Sequence, residues 1–575
     1  MKTMESVLSL LVMTGVLWLL AAGGEGSRAA CTQSTDPCVL TYHNNNMRDG
    51  VNPNESILTP SNIVNTKTRR QFGRLFTTVN LDGEIYAQPL FMYNVTINGV
   101  AHRNAVFVAT EGDSVYAFDA ASETGSTPEP LWQKLLLHQD EVPVPDSDLP
   151  RACTNINPRV GVTGTPVMDV SKGVLYLVSK TKNTKEGSFH QWLNAVNVAN
   201  GLPRYGGRVE ITSPGFDPLV QNQRAGLALG PNGHVYIAWA SHCDGGSYHG
   251  WVMEYMVNSM NALQQVNVFN ETPQGSAGGI WQAGGAPALD ASGNLFLSTG
   301  NGTFDAPAIV PGQDPGPDYG SSVLKLSSAL AVGDAFTPQD EKVINNKQND
   351  LDLGSGGVVL INTTNPPELV AAGKDQHIYV MNQTNLGGFE GYNDDCISMR
   401  CNANILQDLP NVLQRLCPGG DPGNWATPAF FDNKLYVVGS EDKLRAFSLN
   451  TATGKFEETP VLVSGRTFCY PGATPSISAN GTSYGIVWVL DSTKYGNPPT
   501  KTAGPAVLYA YDAEATGMNA SALFASNRNV SDQAPNAVKF VPPTIGNGKV
   551  FVAGGGSTSG TGTLAVYGLC PCATN

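Results

Sequence analysis

The sequence predicts an all-β protein, an eight-bladed β-propeller of four-stranded antiparallel blades. Three observations predict it. The 575-residue chain carries 63 Gly and 38 Pro, so long helices are scarce and short β-rich runs are cut by turn residues. A unit of an apolar run, a Gly-containing turn, a second run and a closing Gly recurs eight times, first as "NAVFVATEGDSVYAFDAASETG" from Asn104 and last as "GKVFVAGGG...GTLAVYGL" from Gly548. Five of the eight units follow a small-residue-Pro step, "AQPL", "GTPV", "GAPAL", "ATPAF" and "ATPSI". Units spaced by about 60 residues and made of four short strands are the mark of propeller blades, which stack around an axis because no blade buries both faces alone.

In chain order, Lys2 precedes the apolar run 7–22 and the small residues "GGEGSRAA", the layout of a cleavable secretory signal; residues 1–27 are read as a signal peptide. The run is shorter than the roughly 20 residues a membrane span needs, so no transmembrane anchor is expected after cleavage and the chain is expected to be secreted and extracellular. Residues 28–70, with "TYHNNNMRDGVNPNES", form a lead-in without periodicity. The propeller proper is placed at 71–570, followed by a tail at 571–575. The segment "RQFGRLFTTVNLDGEIYAQPLF" is expected to supply the strand that closes the ring with the last blade. Only "NILQDLPNVLQRLC", residues 404–417, reads as a helix.

Ten cysteines suit an oxidising compartment, and the pairs Cys31/Cys38, Cys396/Cys401 and Cys570/Cys572 are spaced as local staples, with connectivity left open. Glycosylation sequons stand at Asn54, Asn94, Asn270, Asn301, Asn362, Asn382, Asn480, Asn519 and Asn529, as expected of a glycoprotein. A net charge of −14 disfavours nucleic acid and anionic membranes, leaving a small molecule, a cation or a neutral polymer as partner. The chain has no Walker loop, HExxH or GxSxG, so the common hydrolase chemistries lack residue support. The loop "SHCDGGSYHGW" gathers His242, Asp244, Tyr248 and His249, a set suited either to a transition metal or to mutual hydrogen bonding.

The repeat "VFVATEGDSVYAFDAASETG" resembles that of the pyrroloquinoline-quinone (PQQ) propellers, the quinoprotein alcohol dehydrogenase-like family, and the resemblance covers roughly residues 70 to 570. It implies PQQ and calcium as cofactors. In "STGNGTFD" it places Asn301 at the family's calcium-binding Asn; in "KEGSFHQWLNAVNV" it places Glu186 at the calcium-binding Glu. Asp352, with Asp350 beside it, takes the place of the family's base, Trp281 that of an aromatic stacked on the quinone. In "GKDQHIYVMNQTN", Gln376 stands where the family has an Arg on the quinone, and Lys374 is the substitute cation. The family's adjacent-cysteine pair is missing, with Cys153 single, and an Asn301 carrying a glycan is incompatible with an Asn301 on a metal.

Two functions fit these residues. One is a secreted quinoprotein-like dehydrogenase that oxidises an alcohol or sugar with PQQ and calcium; without a haem-attachment motif it passes electrons to an external acceptor. The other is a non-catalytic extracellular propeller that binds a glycan or a protein partner.

Overall fold

The computed structural model describes residues 31, 35–65, 70–305, 317–346, 350–418, 422–496 and 503–570. The signal segment, Cys572 and the tail lie outside them. The strands form eight sheets, each with a four-stranded antiparallel core. In blade 1 this core is Leu90–Ile97, Val100–Ala109, Ser114–Asp119 and Trp132–Leu135. Blades 2 to 7 repeat the order along the chain. Blade 8 takes three strands from the C-terminal end and its outermost one, Phe72–Thr77, from the N-terminal side, paired antiparallel with Gly562–Leu569. The predicted closing strand is therefore in place.

The core explains why the strands read as nearly continuous apolar runs. Each of the eight buried clusters joins two successive blades. Strand side chains alternate between faces. In Lys549–Gly555, Val550 and Val552 pack toward blade 7 while Phe551 and Ala553 pack toward blade 1. In Glu368–Ala372, Leu369 faces blade 4 and Val370 faces blade 6. Both faces are buried, so period-two alternation leaves no polar face.

The lead-in without periodicity is a plug. Its backbone or side chains reach the innermost strand of every blade: Val39 to Phe91, Leu40 to Met168, Asn46 to Leu229 and Leu289, Met47 to Leu360, Asp49 to Phe430, Gly50 to Ile477 and Asn52 to Ile545. Arg48, fully buried, donates from Nε and Nη2 to Pro287 O at 3.1 and 2.9 Å, and from Nη1 to Thr41, Tyr42 and Asn45. Gly50, with φ +76°, lets the chain pass the buried His43 ring; a Cβ there would lie 2.4 Å from His43 Nε2.

One element departs from the sequence reading. Residues 404–417 contain no helix; Gln407–Leu409 is instead the outer strand of blade 5, paired with Ile378–Val380. Pro410 lacks the donor a helix interior needs, and Leu409 and Leu413 are buried between blades 5 and 6.

Candidate functional site

A cavity of about 250 Å³ opens above the plug. Its wall is contributed by chain segments that lead into the inner strands of several blades, which puts it on the propeller axis. Tyr86, Trp281, Trp425 and Tyr470 all line it, each a few residues before the Pro of a small-residue-Pro step: Pro89, Pro287, Pro428 and Pro475. The plug touches the same segments just beyond, at Gln88, Pro287, Thr427 and Pro475, and so forms the floor. An aromatic ahead of the repeated Pro was the signal in the sequence that marks the site, and for Tyr86, Trp425 and Tyr470 it was missed.

Trp281 is held rigidly. Its Nε1 donates to Ser241 O at 3.2 Å, and the Tyr248 ring meets it edge-on at 5.8 Å. Glycine backbones seat its outer edge: a Cβ on Gly279 or on Gly300 would come within 2.6 Å of the indole. The indole lines the cavity, as does the Cys153–Cys243 disulfide, whose partners are 90 residues apart in sequence. The disulfides Cys31–Cys38 and Cys396–Cys401 match the local staples, and Cys417–Cys469 is a fourth.

The polar side of the cavity centres on Asp352. Its Oδ1 accepts from Asn301 N–H at 2.7 Å and its Oδ2 from Lys374 Nζ at 2.6 Å; Lys374 also lies 3.0 Å from Asp350. Burial acts to lower the Lys374 pKa, but the charges of Asp352 and Asp350 outweigh it and hold the amine protonated well above its ordinary value. Arg224 and Lys539 add two more cations to the wall. Burial lowers the Arg224 pKa, against the pull of Tyr42, Glu111 and Tyr86. Glu111, which interacts electrostatically with Arg224, is pushed up to about 7 by burial, despite donors from Gly161 and Thr163. Sequence reasoning missed Arg224, a charged residue inside the "QNQRAG" step before blade 3.

Three predicted site residues fall elsewhere. Glu186 is exposed in the turn between Val174–Asn183 and Phe189–Asn197 and does not line the cavity, because long strands carry that hairpin tip out into solvent. Gln376 sits in a tight turn at φ +68° and is likewise absent from the wall. Asn301 reaches Asp352 through its backbone, while its side-chain oxygen accepts from Ser321 Oγ at 3.4 Å. The calcium ligand set implied by the resemblance, Glu186 with Asn301, is therefore not assembled: Glu186 lies outside the cavity, the Asn301 side-chain oxygen is turned to Ser321, and no group of three His, Cys, Asp or Glu suited to a metal occurs among the described residues. The His242 loop is not a metal site either. His242 Nε2 meets Lys180, Asp244 accepts from Tyr248 OH, and His249 pairs with Thr272.

Solved structures share this architecture. The chain aligns with quinohemoprotein alcohol dehydrogenases from Pseudomonas putida HK5 (12% identity, TM-score 0.55, 93% of this chain and 81% of that one) and Comamonas testosteroni (13%, 0.54, 92% and 80%). It also aligns with a europium-containing methanol dehydrogenase (13%, 0.56, 93% and 98%). The likeness is one of fold. No protein-family model and no curated protein matches the sequence.

Proposed function

We propose that the protein is a quinoprotein-like dehydrogenase whose axial cavity holds a planar, polyanionic quinone of the pyrroloquinoline class and oxidises an alcohol or a sugar. One observation carries the reading: Trp281, Lys374, Asp352 and the Cys153–Cys243 disulfide, remote in sequence, line a single cavity. The residues present fit the quinone. Trp281 offers a fixed aromatic plane for stacking, Arg224 and Lys539 are counter-charges for its carboxylates, and the buried, unpaired Asn222 Oδ1 is an acceptor in the wall. When bound, the quinone supplies a hydride acceptor. Lys374 is placed to balance negative charge developing on a bound oxygen, and Asp352 keeps Lys374 protonated and oriented. The same residues do not fit the implied calcium site, and no step here uses a metal. The alcohol and methanol dehydrogenases of like fold support the reading through architecture alone.

The test is binding of PQQ to the purified full chain, with and without calcium, followed by absorbance and calorimetry, and then alcohol- or sugar-dependent dye reduction. Micromolar binding that weakens about tenfold or more in Trp281→Ala and in Arg224→Met is expected, roughly the loss of one strong contact. Absence of binding by the native protein overturns the proposal.

A further inference from the structure

We propose that Lys180 and His242 form a proton relay that opens on the cavity through His242 Nδ1, taking a proton from a bound hydroxyl and storing it on the Lys180 amine. Lys180 lies in the blade 2 strand Val174–Asn183 and is 3% exposed. Its Nζ is 2.7 Å from Leu219 O, 3.1 Å from Gln221 O and 2.8 Å from His242 Nε2. His242 follows the blade 3 strand Val235–Ser241 and lines the cavity. Its Nε2 is committed to Lys180, which leaves Nδ1 as the nitrogen for the cavity.

Two protonation forms satisfy all three contacts at Nζ. In the acid form the ammonium donates to both carbonyls and to Nε2, so the ring proton sits on Nδ1. In the base form a neutral amine donates to the two carbonyls and accepts from Nε2–H, so Nδ1 carries a free lone pair. The forms differ by one proton. Passing from base to acid, the hydroxyl O–H breaks as Nδ1–H forms, and Nε2–H breaks as a third Nζ–H forms. The net proton moves from the ligand to Lys180, and the imidazole stays neutral throughout.

The surroundings permit both forms. Lys374 is locked as ammonium by two aspartates, whereas Lys180 has three neutral partners. Burial lowers the Lys180 pKa to about 7, with Asp217 and Glu111 pulling it upward. Burial and the Lys180 charge keep His242 well below its ordinary value, so an imidazolium is disfavoured. The other ionisable groups facing the pair are Asp113, which accepts the Lys180 backbone N–H at 3.3 Å, and Asp244 and Arg224 in the cavity wall. That the proton donor is an alcohol rests on the function proposed above; the relay itself does not.

The experiment is ¹⁵N NMR of the full chain labelled at histidine, from pH 5.5 to 9, with no quinone added and His242 assigned by difference against His242→Gln. The expected result is an exchange of the protonated nitrogen from Nδ1 to Nε2 with a midpoint near pH 7. Lys180→Arg, which keeps a permanent cation, should pin Nδ1–H across the range. A single tautomer at all pH values in the native protein, or an imidazolium, overturns the relay even if the variant fails to fold. Failure to bind PQQ would leave this result untouched, so the two proposals fail separately.

Discussion

Lys374 Nζ lies 2.6 Å from Asp352 Oδ2, and Asn301 N–H holds the other oxygen of that carboxylate at 2.7 Å. The pair is mostly buried, with 13% and 10% of the two side chains exposed. Removing one member of such a pair strands the other charge. Lys374→Met is expected to destabilise the protein by about 3 kcal/mol, the lower end for a buried pair broken on one side. Asp352→Asn combined with Lys374→Met should recover most of that loss. Urea denaturation of the single and double variants checks both, and additive losses in the double variant would contradict the pairing.

Arg48 joins the plug to blade 4 through Pro287 O, and its fork also satisfies three groups within the plug itself. Arg48→Met leaves several buried oxygens without a donor, each worth about 1–3 kcal/mol. The expected loss is about 3–5 kcal/mol, within the range of severe single substitutions. Arg48→Lys is expected to rescue little, since a single ammonium cannot reproduce the planar fork. The denaturation midpoint measures both, and a neutral Arg48→Lys would show that charge alone suffices.

Stability should fall between about pH 4.5 and 7. Burial raises Glu84, Glu111, Asp340, Glu341 and Glu368 to about 7. A group whose folded pKa is raised contributes stability below its unfolded value and loses it as pH climbs through the folded value. His43 opposes this, because burial lowers it to about 4 and its contribution is lost as pH falls from about 6.5 toward 4. His242, also held down by burial and the Lys180 charge, acts in the same sense as His43. Five carboxyls outweigh these two histidines, so scanning calorimetry should give a higher Tm at pH 5.5 than at pH 7.5. The reverse order would mean that these carboxyls are ionised in the folded protein.

How much of the site was legible depended on whether a residue's place was fixed by the repeat. Trp281 sits a few residues before a repeated Pro step, and the repeat carries four such positions, Tyr86, Trp281, Trp425 and Tyr470, to the cavity. Asp352 and Lys374 lie close to the inner strands of blade 5, so short connections leave them little freedom. Glu186 stands at the start of "KEGSFHQWLNAVNV", in a hairpin tip whose length varies between blades, and a motif match that begins at such a tip does not fix the direction of the side chain. Residues 404–417 showed helical spacing, yet the open outer edge of Ile378–Asn382 recruits Gln407–Leu409 as a strand.

By itself the sequence determined the ring: the number of blades, their strand order and the N-terminal strand that closes the last sheet. Those features follow from short apolar runs, turn residues and repetition, which neighbouring residues encode. Only the tertiary structure decided that residues 39–52 plug the axis, that Cys153 meets Cys243, that Glu186 stays outside, and that Lys180 stands behind His242. Glu186 is decided by how far one hairpin projects; each of the others is a meeting between blades, or between the plug and the blades. Such distances are set by how sheets stack around an axis, which no local pattern records.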